Sequence, residues 1–406
     1  MIRSVNKFLS VSGKGMKRSA IREILKHLQK PGMISFAGGL PAPETFPVED
    51  LKEIVAEVLE KEGAEALQYG TTEGDPGLRK ALAERHRKQG LEVGIENLII
   101  TTGSQQALDL IARIFIDPGD YVLCGLPSYL GGLNAFTAYG VKLKGIPLDA
   151  QGMNTDALEE TIHHLTGLGR KIKFIYVIPD FQNPAGITLP EARRLKIIEI
   201  AEKYDLLVVE DSPYREIRFR GEAQRMMYEL DKSGRVITLC TFSKILSPGF
   251  RVGWIIGNPE ILDKIAMAKQ TADLCTSAFV QKIIARYMEK GLLEKNLRKT
   301  IALYSERRDY MIECFRKYMP EKVTWTEPEG GLFLFVTMPG NIDAEKIFCR
   351  ALEKNVAFVC GSSFFCNGSG KNTMRINFSF SAKPEIEEGI RRLSSVIRDE
   401  LEGKKN

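Results

Sequence analysis

The sequence predicts an α/β protein with a mainly parallel β-sheet in a large domain and a second, smaller α/β domain. Two observations predict this fold class. From Val48 onward, short runs that are apolar throughout alternate with helical patterns, and such runs are typical of strands buried on both faces of a parallel sheet. Near Arg316 the pattern changes to strands interleaved with two helices. The predicted organisation is an N-terminal arm with a short helix (1–47), a large domain (48–315) and a small C-terminal domain (316–406).

The elements follow in chain order. A helix is predicted over 19–29, because its apolar residues recur at spacings of three and four and Pro31–Gly32 ends it. The strand candidates of the large domain are NLIITT (97–102), YVLC (121–124), KFIYVI (173–178), LLVVE (206–210), VITLCTF (236–242) and RVGWIIG (251–257). In the small domain we expect strands at 330–338, 355–360 and 372–380, and helices at 343–354 and 384–402.

The charge pattern argues against two classes of partner. There are 57 basic and 52 acidic residues, which gives a net charge of +5, and the basic residues are scattered. This pattern gives no support to nucleic-acid or membrane-surface binding. No apolar run reaches the roughly 18 residues of a membrane span, and the N-terminus lacks the apolar stretch of a signal peptide. We therefore expect a soluble protein.

The cysteines and histidines indicate no disulfide framework and no metal site. The seven cysteines are odd in number, and no pair has CxxC spacing. Reduced thiols in a cytoplasmic protein are the expected reading. The four histidines lack the spacing of a zinc or iron site, so no metal is expected.

Polar residues at the ends of the predicted strands are the candidate functional residues, because ligands bind beyond the carboxyl ends of strands in open α/β sheets. After NLIITT, Gly103, Ser104 and Gln105 begin a helix whose free N–H groups could bind a phosphate. Such turns are also common without a ligand. Asn183, held extended by Pro184, could present its amide to a site or be a simple turn residue.

Three further strand ends carry charged residues. Asp211, with Tyr214 after it, ends an apolar strand, so its carboxylate needs a cationic partner such as a protonated pyridine nitrogen; a helix N-cap is the alternative. Lys244, next to Ser243, would attack an aldehyde as a neutral amine, or its stem could be buried with its head in water. Arg251 could bind a phosphate through two hydrogen bonds or form a surface ion pair.

Each feature alone is ambiguous, but the five together supply the groups that pyridoxal 5′-phosphate (PLP) requires. The order of motifs resembles the fold-type I, class I aminotransferases, and within them the group of 2-aminoadipate, kynurenine and archaeal aromatic aminotransferases. The segments that carry this resemblance are SFAGGLP (35–41), LQYGTTEG (67–74), TTGSQQALDL (101–110), PSY (127–129), FQNPAG (181–186), EDSPYRE (210–216), TFSKILSPGFRVGW (241–254), PEGGLFLF (328–335) and NTMRINFSF (372–380).

The resemblance implies the PLP-transferase fold of type I, with a seven-stranded large-domain sheet, and a role for each candidate residue. Lys244 would bind the cofactor covalently and move a proton between the substrate Cα and the cofactor C4′. Asp211 would pair with the pyridinium nitrogen, and Asn183 and Tyr214 would hydrogen-bond the phenolic oxygen. Tyr129 would stack on the ring.

The remaining implied roles concern the phosphate and the substrate. The phosphate ligands would be Ser104, Gln105, Ser243 and Arg251, together with Tyr69 from the partner subunit. Arg375 would bind the substrate α-carboxylate, with Asn183 and the backbone of Gly39 nearby. Ser19 and Arg22, three apart on the predicted N-terminal helix, match positions that cover the substrate side chain, so Arg22 is expected to meet a distal carboxylate. LQYGTTEG departs from relatives that often have Ser-Pro after the tyrosine, which concerns the loop and not the chemistry.

The resemblance therefore implies a PLP-dependent aminotransferase. It would move an amino group between an L-amino acid (2-aminoadipate, aromatic or branched-chain) and a 2-oxo acid such as 2-oxoglutarate, in a two-stage cycle. A homodimer with shared active sites is implied as well. The alternatives are a PLP lyase or decarboxylase on the same fold, and the effector domain of a transcription regulator. The regulator would need an additional N-terminal DNA-binding domain.

Overall fold

The computed structural model of the chain describes residues 4–15 and 32–403. Its α-helices are α1 (Val11–Gly15), α2 (Val48–Ala66), α3 (Pro76–Lys88), α4 (Ser104–Phe115), α5 (Leu130–Thr137), α6 (Thr155–Gly167), α7 (Glu191–Lys203), α8 (Met227–Leu230), α9 (Pro259–Gln270), α10 (Ala278–Glu289), α11 (Leu292–Tyr318), α12 (Ala344–Glu353) and α13 (Lys383–Leu401). The predicted helix over 19–29 lies outside the described residues.

The strands alternate with these helices through most of the described chain. They are β1 (Ile34–Ser35), β2 (Leu98–Thr101), β3 (Tyr121–Leu126), β4 (Lys142–Asp149), β5 (Gly152–Met153), β6 (Ile172–Val177), β7 (Leu207–Asp211), β8 (Val236–Thr241), β9 (Gly253–Ile256), β10 (Thr324–Trp325), β11 (Phe333–Thr337), β12 (Val356–Ala357), β13 (Val359–Cys360) and β14 (Thr373–Asn377).

The large sheet has the strand order β2-β9-β8-β7-β6-β3-β4-β5. Neighbouring strands from β8 to β4 pair in parallel, and β9 is antiparallel to both β2 and β8. The prediction of an α/β fold with a mainly parallel sheet is confirmed. The sheet has eight strands rather than seven, because the two-residue strand β5 folds back antiparallel onto β4. A strand of two residues is too short to give a periodic pattern in the sequence.

The central strands are buried on both faces, as their apolar sequences predict. Along β6, Phe174 and Tyr176 belong to one hydrophobic core, whereas Ile175 and Val177 belong to the other. This alternation follows from the two-residue period of a strand. β4 was not among the strand candidates, because its lysines alternate with apolar residues and its side chains are mostly exposed or half-buried.

The small domain is built on a four-stranded antiparallel sheet of order β10-β11-β14-β13. The predicted helices and the strands at 330–338 and 372–380 are present within a few residues of their expected ends. The single strand predicted over 355–360 is instead divided into β12 and β13, which belong to different sheets. β1, which follows the undescribed part of the arm, pairs in parallel with β12, and Asn377 donates a backbone hydrogen bond to the carbonyl oxygen of Phe36. The segment after β1 therefore lies beside the small domain and next to β14.

The proposed division of the chain at 315/316 stays a prediction. Helix α11 continues without interruption from Leu292 to Tyr318, and it packs against α13. Within the described residues, no helix is both long and apolar enough to span a membrane.

Candidate active site

A cavity of about 490 Å³ lies beyond the carboxyl ends of the central strands. Most of the residues that the sequence predicts for the site line it. From the large domain these are Ser104, Gln105, Tyr129, Asn183, Asp211, Tyr214, Ser243, Lys244 and Arg251. Gly39, which follows β1, and Arg375 of the small domain line it as well. The sheet-edge rule therefore identified residues that the fold does bring together.

Lys244 lies three residues beyond the end of β8, and its amine reaches across the cavity. Its Nζ donates a hydrogen bond of 2.7 Å to the carbonyl oxygen of Gly39. Burial, together with the positive charges of Arg375 and Arg251, lowers the pKa of Lys244 to about 8. A larger share of this amine is therefore neutral and nucleophilic at neutral pH than of an exposed lysine.

Asp211 is the last residue of β7, and only 2% of it is exposed. Its Oδ2 accepts a hydrogen bond of 2.7 Å from the hydroxyl of Tyr176. Its Oδ1 is buried and has no hydrogen-bond partner among the described residues. Burial raises the pKa of Asp211 to about 6, although the hydrogen bond from Tyr176 opposes this rise. A buried carboxylate with one unpaired oxygen is matched by a cation or an N–H donor.

Arg375, on β14, forms a hydrogen-bonded chain with Asn183 and Tyr214. Its Nη1 donates to Oδ1 of Asn183 at 2.9 Å, and Nδ2 of Asn183 donates to the Tyr214 hydroxyl at 3.2 Å. Nη2 donates to the carbonyl oxygen of Ala37 at 2.7 Å. The guanidinium lies 4.1 Å from the centre of the Phe333 ring.

The charge of Arg375 is deeply buried, because only 1% of the residue is exposed. Its hydrogen bonds within the described chain go to neutral oxygens, and its Nε has no partner there. Burial lowers the pKa of Arg375 to about 10. A buried guanidinium bonded only to neutral groups is suited to a carboxylate ligand, since Arg binds carboxylates through two parallel hydrogen bonds.

Ser104, Ser243 and Arg251 converge where α4 begins. Gly103 precedes α4 with a φ of 73°, and a Cβ at this position would lie 2.5 Å from Nη2 of Arg251. The positive φ favours glycine here, and the missing Cβ leaves the space that the Arg251 guanidinium occupies. Nη1 of Arg251 also lies 3.5 Å from Oγ of Ser243. A helix N-terminus, a hydroxyl and a guanidinium around one space form an anion-binding arrangement.

One predicted residue, Tyr69, lies away from the cavity. Tyr69 is 78% exposed and lines a separate surface hollow with Leu67 and Phe279. It is not part of the main cavity within one subunit. Ser19 and Arg22 lie outside the described residues. Within the described residues, no cluster of His, Cys, Asp or Glu could hold a metal ion.

Several groups at the site were not predicted from the sequence. Tyr176 lies inside the predicted strand KFIYVI (173–178) and was not singled out, although a hydroxyl in such a strand needs a partner. The carbonyl oxygen of Ala37 and the ring of Phe333 contact Arg375 from distant parts of the chain. No spacing rule in the sequence indicates such contacts.

Comparison with known proteins identifies the family. Residues 33–393 match the model of the family described as aminotransferase class I and II. The chain belongs to this family. It is a PLP-dependent aminotransferase, as the motifs predicted, and this confirms the expected family, enzyme class and cofactor.

Three relatives are informative for this aminotransferase. The aromatic-amino-acid aminotransferase 1 of Thermococcus litoralis is 49% identical over 97% of the chain and 95% of its own length. The kynurenine aminotransferase of Pyrococcus horikoshii, solved with PMP, is 46% identical with a TM-score of 0.95 over 99% of both chains. The α-aminoadipate aminotransferase of Thermus thermophilus, bound to N-(5′-phosphopyridoxyl)-L-leucine, is 38% identical with a TM-score of 0.90, over 98% of this chain and 99% of its own.

The residues present fit PLP. The unpaired Oδ1 of Asp211 matches a protonated ring nitrogen, and the Lys244 amine matches the aldehyde. The arrangement of Gly103, Ser104 and Arg251 matches the phosphate. All of these groups border the same cavity of about 490 Å³.

Proposed function

We propose that this aminotransferase moves the amino group between an aromatic amino acid, 2-aminoadipate or a branched-chain amino acid and a 2-oxo acid, with 2-oxoglutarate and glutamate as the common pair. The observation that carries the proposal is the buried guanidinium of Arg375, whose hydrogen bonds go to neutral oxygens. A group of this kind binds a substrate that retains its α-carboxylate, which favours transamination over decarboxylation. The names of the relatives support aromatic amino acids and 2-aminoadipate, and the leucine adduct bound to the Thermus thermophilus enzyme supports a branched-chain donor.

Three residues of the chain would act in the reaction, together with the bound cofactor. PLP, when bound, supplies an electron sink for the negative charge that develops at the substrate Cα. Arg375 would bind and orient the α-carboxylate. Lys244, as a neutral amine, would take the proton from the substrate Cα and deliver it to the C4′ position of the cofactor. The Asp211 carboxylate would hold the proton on the ring nitrogen.

The other lining residues would hold the cofactor in place. Ser104, Gln105, Ser243 and Arg251 would bind its phosphate, and Tyr129 would stack on its ring. Asn183 and Tyr214, already hydrogen-bonded to each other, would meet the phenolic oxygen. Because Asn183 also accepts a hydrogen bond from Arg375, cofactor and substrate groups would be positioned by one connected network.

A panel of amino acids tests the substrate proposal. Each candidate donor is added to the PLP-loaded enzyme without a 2-oxo acid, and conversion to the pyridoxamine form is followed by absorbance. Aromatic amino acids, 2-aminoadipate, leucine and glutamate should convert the enzyme, and addition of 2-oxoglutarate should reverse the change. Conversion by none of them would reject this substrate range.

The N-terminal segment is proposed to select between acidic and apolar side chains. Ser19 and Arg22 share one face of the predicted helix over 19–29, and Arg22 would bind the distal carboxylate of glutamate or 2-aminoadipate. A charge-assisted hydrogen bond contributes about 1.5–3 kcal/mol, so Arg22→Ala should lower kcat/KM for acidic substrates roughly tenfold or more. Equal losses for phenylalanine would contradict a role in selection.

We further propose that the protein is a homodimer whose subunits share their active sites, and that it is located in the cytoplasm. Tyr69 and Leu67 are both largely exposed at the end of α2, and apolar side chains grouped at a surface mark interaction sites. Symmetric dimers are the commonest oligomers. The cytoplasmic location is supported by the seven cysteines, which are free thiols and mostly buried.

A further inference from the structure

We infer that Tyr176 is a positioning residue that holds the carboxylate of Asp211 in the orientation needed by the cofactor's ring nitrogen. The inference rests on the proposed role of Asp211 and extends it to a residue on the neighbouring strand. Tyr176 would not contact the substrate. It would act by binding one carboxylate oxygen so that the other remains available.

The contact follows from the register of two parallel strands. Tyr176 on β6 pairs with Val209 on β7, and Asp211 lies two residues further on, so all three side chains point to the same face of the sheet. The Tyr176 hydroxyl donates to Oδ2 of Asp211 at 2.7 Å. Both residues are buried, with exposed fractions of 0% and 2%.

The hydroxyl has the chemistry of a permanent donor. Burial and the nearby Asp211 charge raise the pKa of Tyr176 well above its usual value, so the hydroxyl keeps its proton. Toward an ionised carboxylate it can only donate. Oδ2 is thus occupied, whereas Oδ1 is buried without a partner among the described residues. One fixed oxygen and one unpaired oxygen define the direction in which Asp211 can accept a further proton donor.

The position of the hydroxyl is itself fixed by packing. The Tyr176 ring meets Phe136 edge-on, with 5.1 Å between the ring centres. On α5, a Cβ at Gly132 would lie 2.8 Å from the Tyr176 oxygen. Real Cβ atoms do not approach that closely, so a side chain at residue 132 would displace the hydroxyl from Asp211. Gly132 is therefore the residue that leaves room for the contact.

The test measures the affinity of the cofactor-free protein for two probes. One is PLP, and the other is its 1-deaza analogue, in which a carbon replaces the ring nitrogen. Tyr176→Phe removes only the hydroxyl. It should weaken PLP binding about tenfold, the order expected for disturbing one hydrogen bond to a charged group, and leave binding of the analogue unchanged. Equal affinity for PLP in the variant and the wild type would overturn the inference, and so would an equal loss for both probes.

Two further variants separate a positioning role from a structural one. Tyr287→Phe is the matched control, because the Tyr287 hydroxyl is also buried but has no hydrogen-bond partner among the described residues; it should bind both probes normally. Gly132→Ala moves the Tyr176 hydroxyl without removing it and suits a helix better than glycine does. It should reproduce the selective loss for PLP, and normal PLP binding in this variant would contradict the inference.

Asp211→Asn distinguishes failure of the inference from failure of the proposed function. This variant should lose PLP affinity and turnover, and adding Tyr176→Phe should cause no further loss because Tyr176 acts through Asp211. If Asp211→Asn retains normal PLP binding and turnover, the proposed function of Asp211 fails. If Asp211→Asn is impaired but the second substitution adds its full effect, only the positioning role of Tyr176 is overturned.

Discussion

Arg375 donates a hydrogen bond of 2.9 Å from Nη1 to Oδ1 of Asn183, and this contact connects the small domain to the large one. Arg375 lies on β14 of the small domain, and Asn183 follows β6 of the large sheet. Asn183 donates onward to Tyr214. A substrate carboxylate bound by Arg375 would therefore be coupled directly to the groups proposed to hold the cofactor ring.

Two Arg375 variants can separate the contribution of its charge from that of its two parallel hydrogen bonds. Arg375→Gln should raise the KM for amino acids about a hundredfold, because a charge-assisted bidentate pair is lost. Arg375→Lys keeps the positive charge but cannot form two parallel hydrogen bonds, so its KM should lie between those of the wild type and the Gln variant. Steady-state kinetics across the amino-acid panel measures both.

An amine without a carboxylate serves as the control for Arg375. Phenylethylamine should react slowly and at the same rate with the wild type and with Arg375→Gln. If the Gln variant loses as much with phenylethylamine as with phenylalanine, Arg375 does not act through the carboxylate.

Asp211→Asn should stabilise the cofactor-free protein while abolishing turnover. The folded-state pKa of Asp211, about 6, is raised from 3.8 by burial. The unfolded chain therefore gives up this proton at a lower pH than the folded chain does, and wild-type stability falls as pH rises from about 4 to about 6. The neutral amide avoids this loss, so at pH 7 the variant should gain up to about 3 kcal/mol in the free energy of unfolding.

Urea unfolding of the two cofactor-free proteins at a series of pH values measures the difference. Asp180→Asn is the contrasting control, because Asp180 is equally buried but pairs with Arg194 at 2.8 Å. Its loss should destabilise the protein by leaving a buried guanidinium unpaired. An Asp211→Asn protein that is less stable than the wild type at pH 7 would show that the hydrogen bond from Tyr176 outweighs the cost of burying the carboxylate.

The sequence predicted most of the cavity because one physical rule applies to it. Lys244, Asp211 and Asn183 lie at or just beyond the ends of apolar strands, and parallel strands bring such ends to one edge. Each residue was ambiguous alone, and the fold brings all three to one cavity. The resemblance added Arg375, whose strand lies in the other domain.

What the sequence could not predict depends on contacts between distant segments. Tyr176 fits the period of an apolar strand, so its hydroxyl gave no signal until Asp211 was found beside it. The contact of Ala37 with Arg375 uses a backbone oxygen, and any residue type supplies one. The lysines of β4 obscured a strand near the edge of the sheet.

The rate at which the cofactor-free protein binds PLP covalently should depend on pH, with a midpoint near the lowered pKa of Lys244. Burial, aided by Arg375 and Arg251, lowers the pKa of Lys244 to about 8. Because the neutral amine is the nucleophile, the rate of cofactor attachment should rise with pH and level off above this value. Stopped-flow absorbance after mixing with PLP measures the rate.

Arg375 variants provide the control for this pH dependence. Arg375→Gln removes a positive charge, so the midpoint should move upward, whereas Arg375→Lys should leave it nearly unchanged. A midpoint close to the ~10.4 of an exposed lysine in the wild type would show that burial does not perturb the attacking amine. Borohydride reduction followed by peptide mapping should place the label on Lys244.

Shared active sites predict that two defective variants restore each other. Tyr69 is 78% exposed in one subunit and does not border that subunit's cavity, so its proposed phosphate contact must come from the partner subunit. Lys244→Ala should be inactive, and Tyr69→Phe should be about tenfold impaired at limiting PLP, for loss of one hydrogen bond to a charged group. After subunit exchange, half of the dimers carry one site with both native residues, which restores roughly a quarter of wild-type activity at equal mixing.

The control for restoration mixes Lys244→Ala with the Lys244→Ala/Tyr69→Phe double variant, which can form no intact site. Sedimentation should show dimers in every preparation, since Phe keeps the apolar ring at the exposed surface. Activity that only equals the average of the two parent variants would mean that each subunit completes its own site. A monomeric species with full activity would also contradict the proposed dimer, because no partner subunit would then supply Tyr69 to the phosphate.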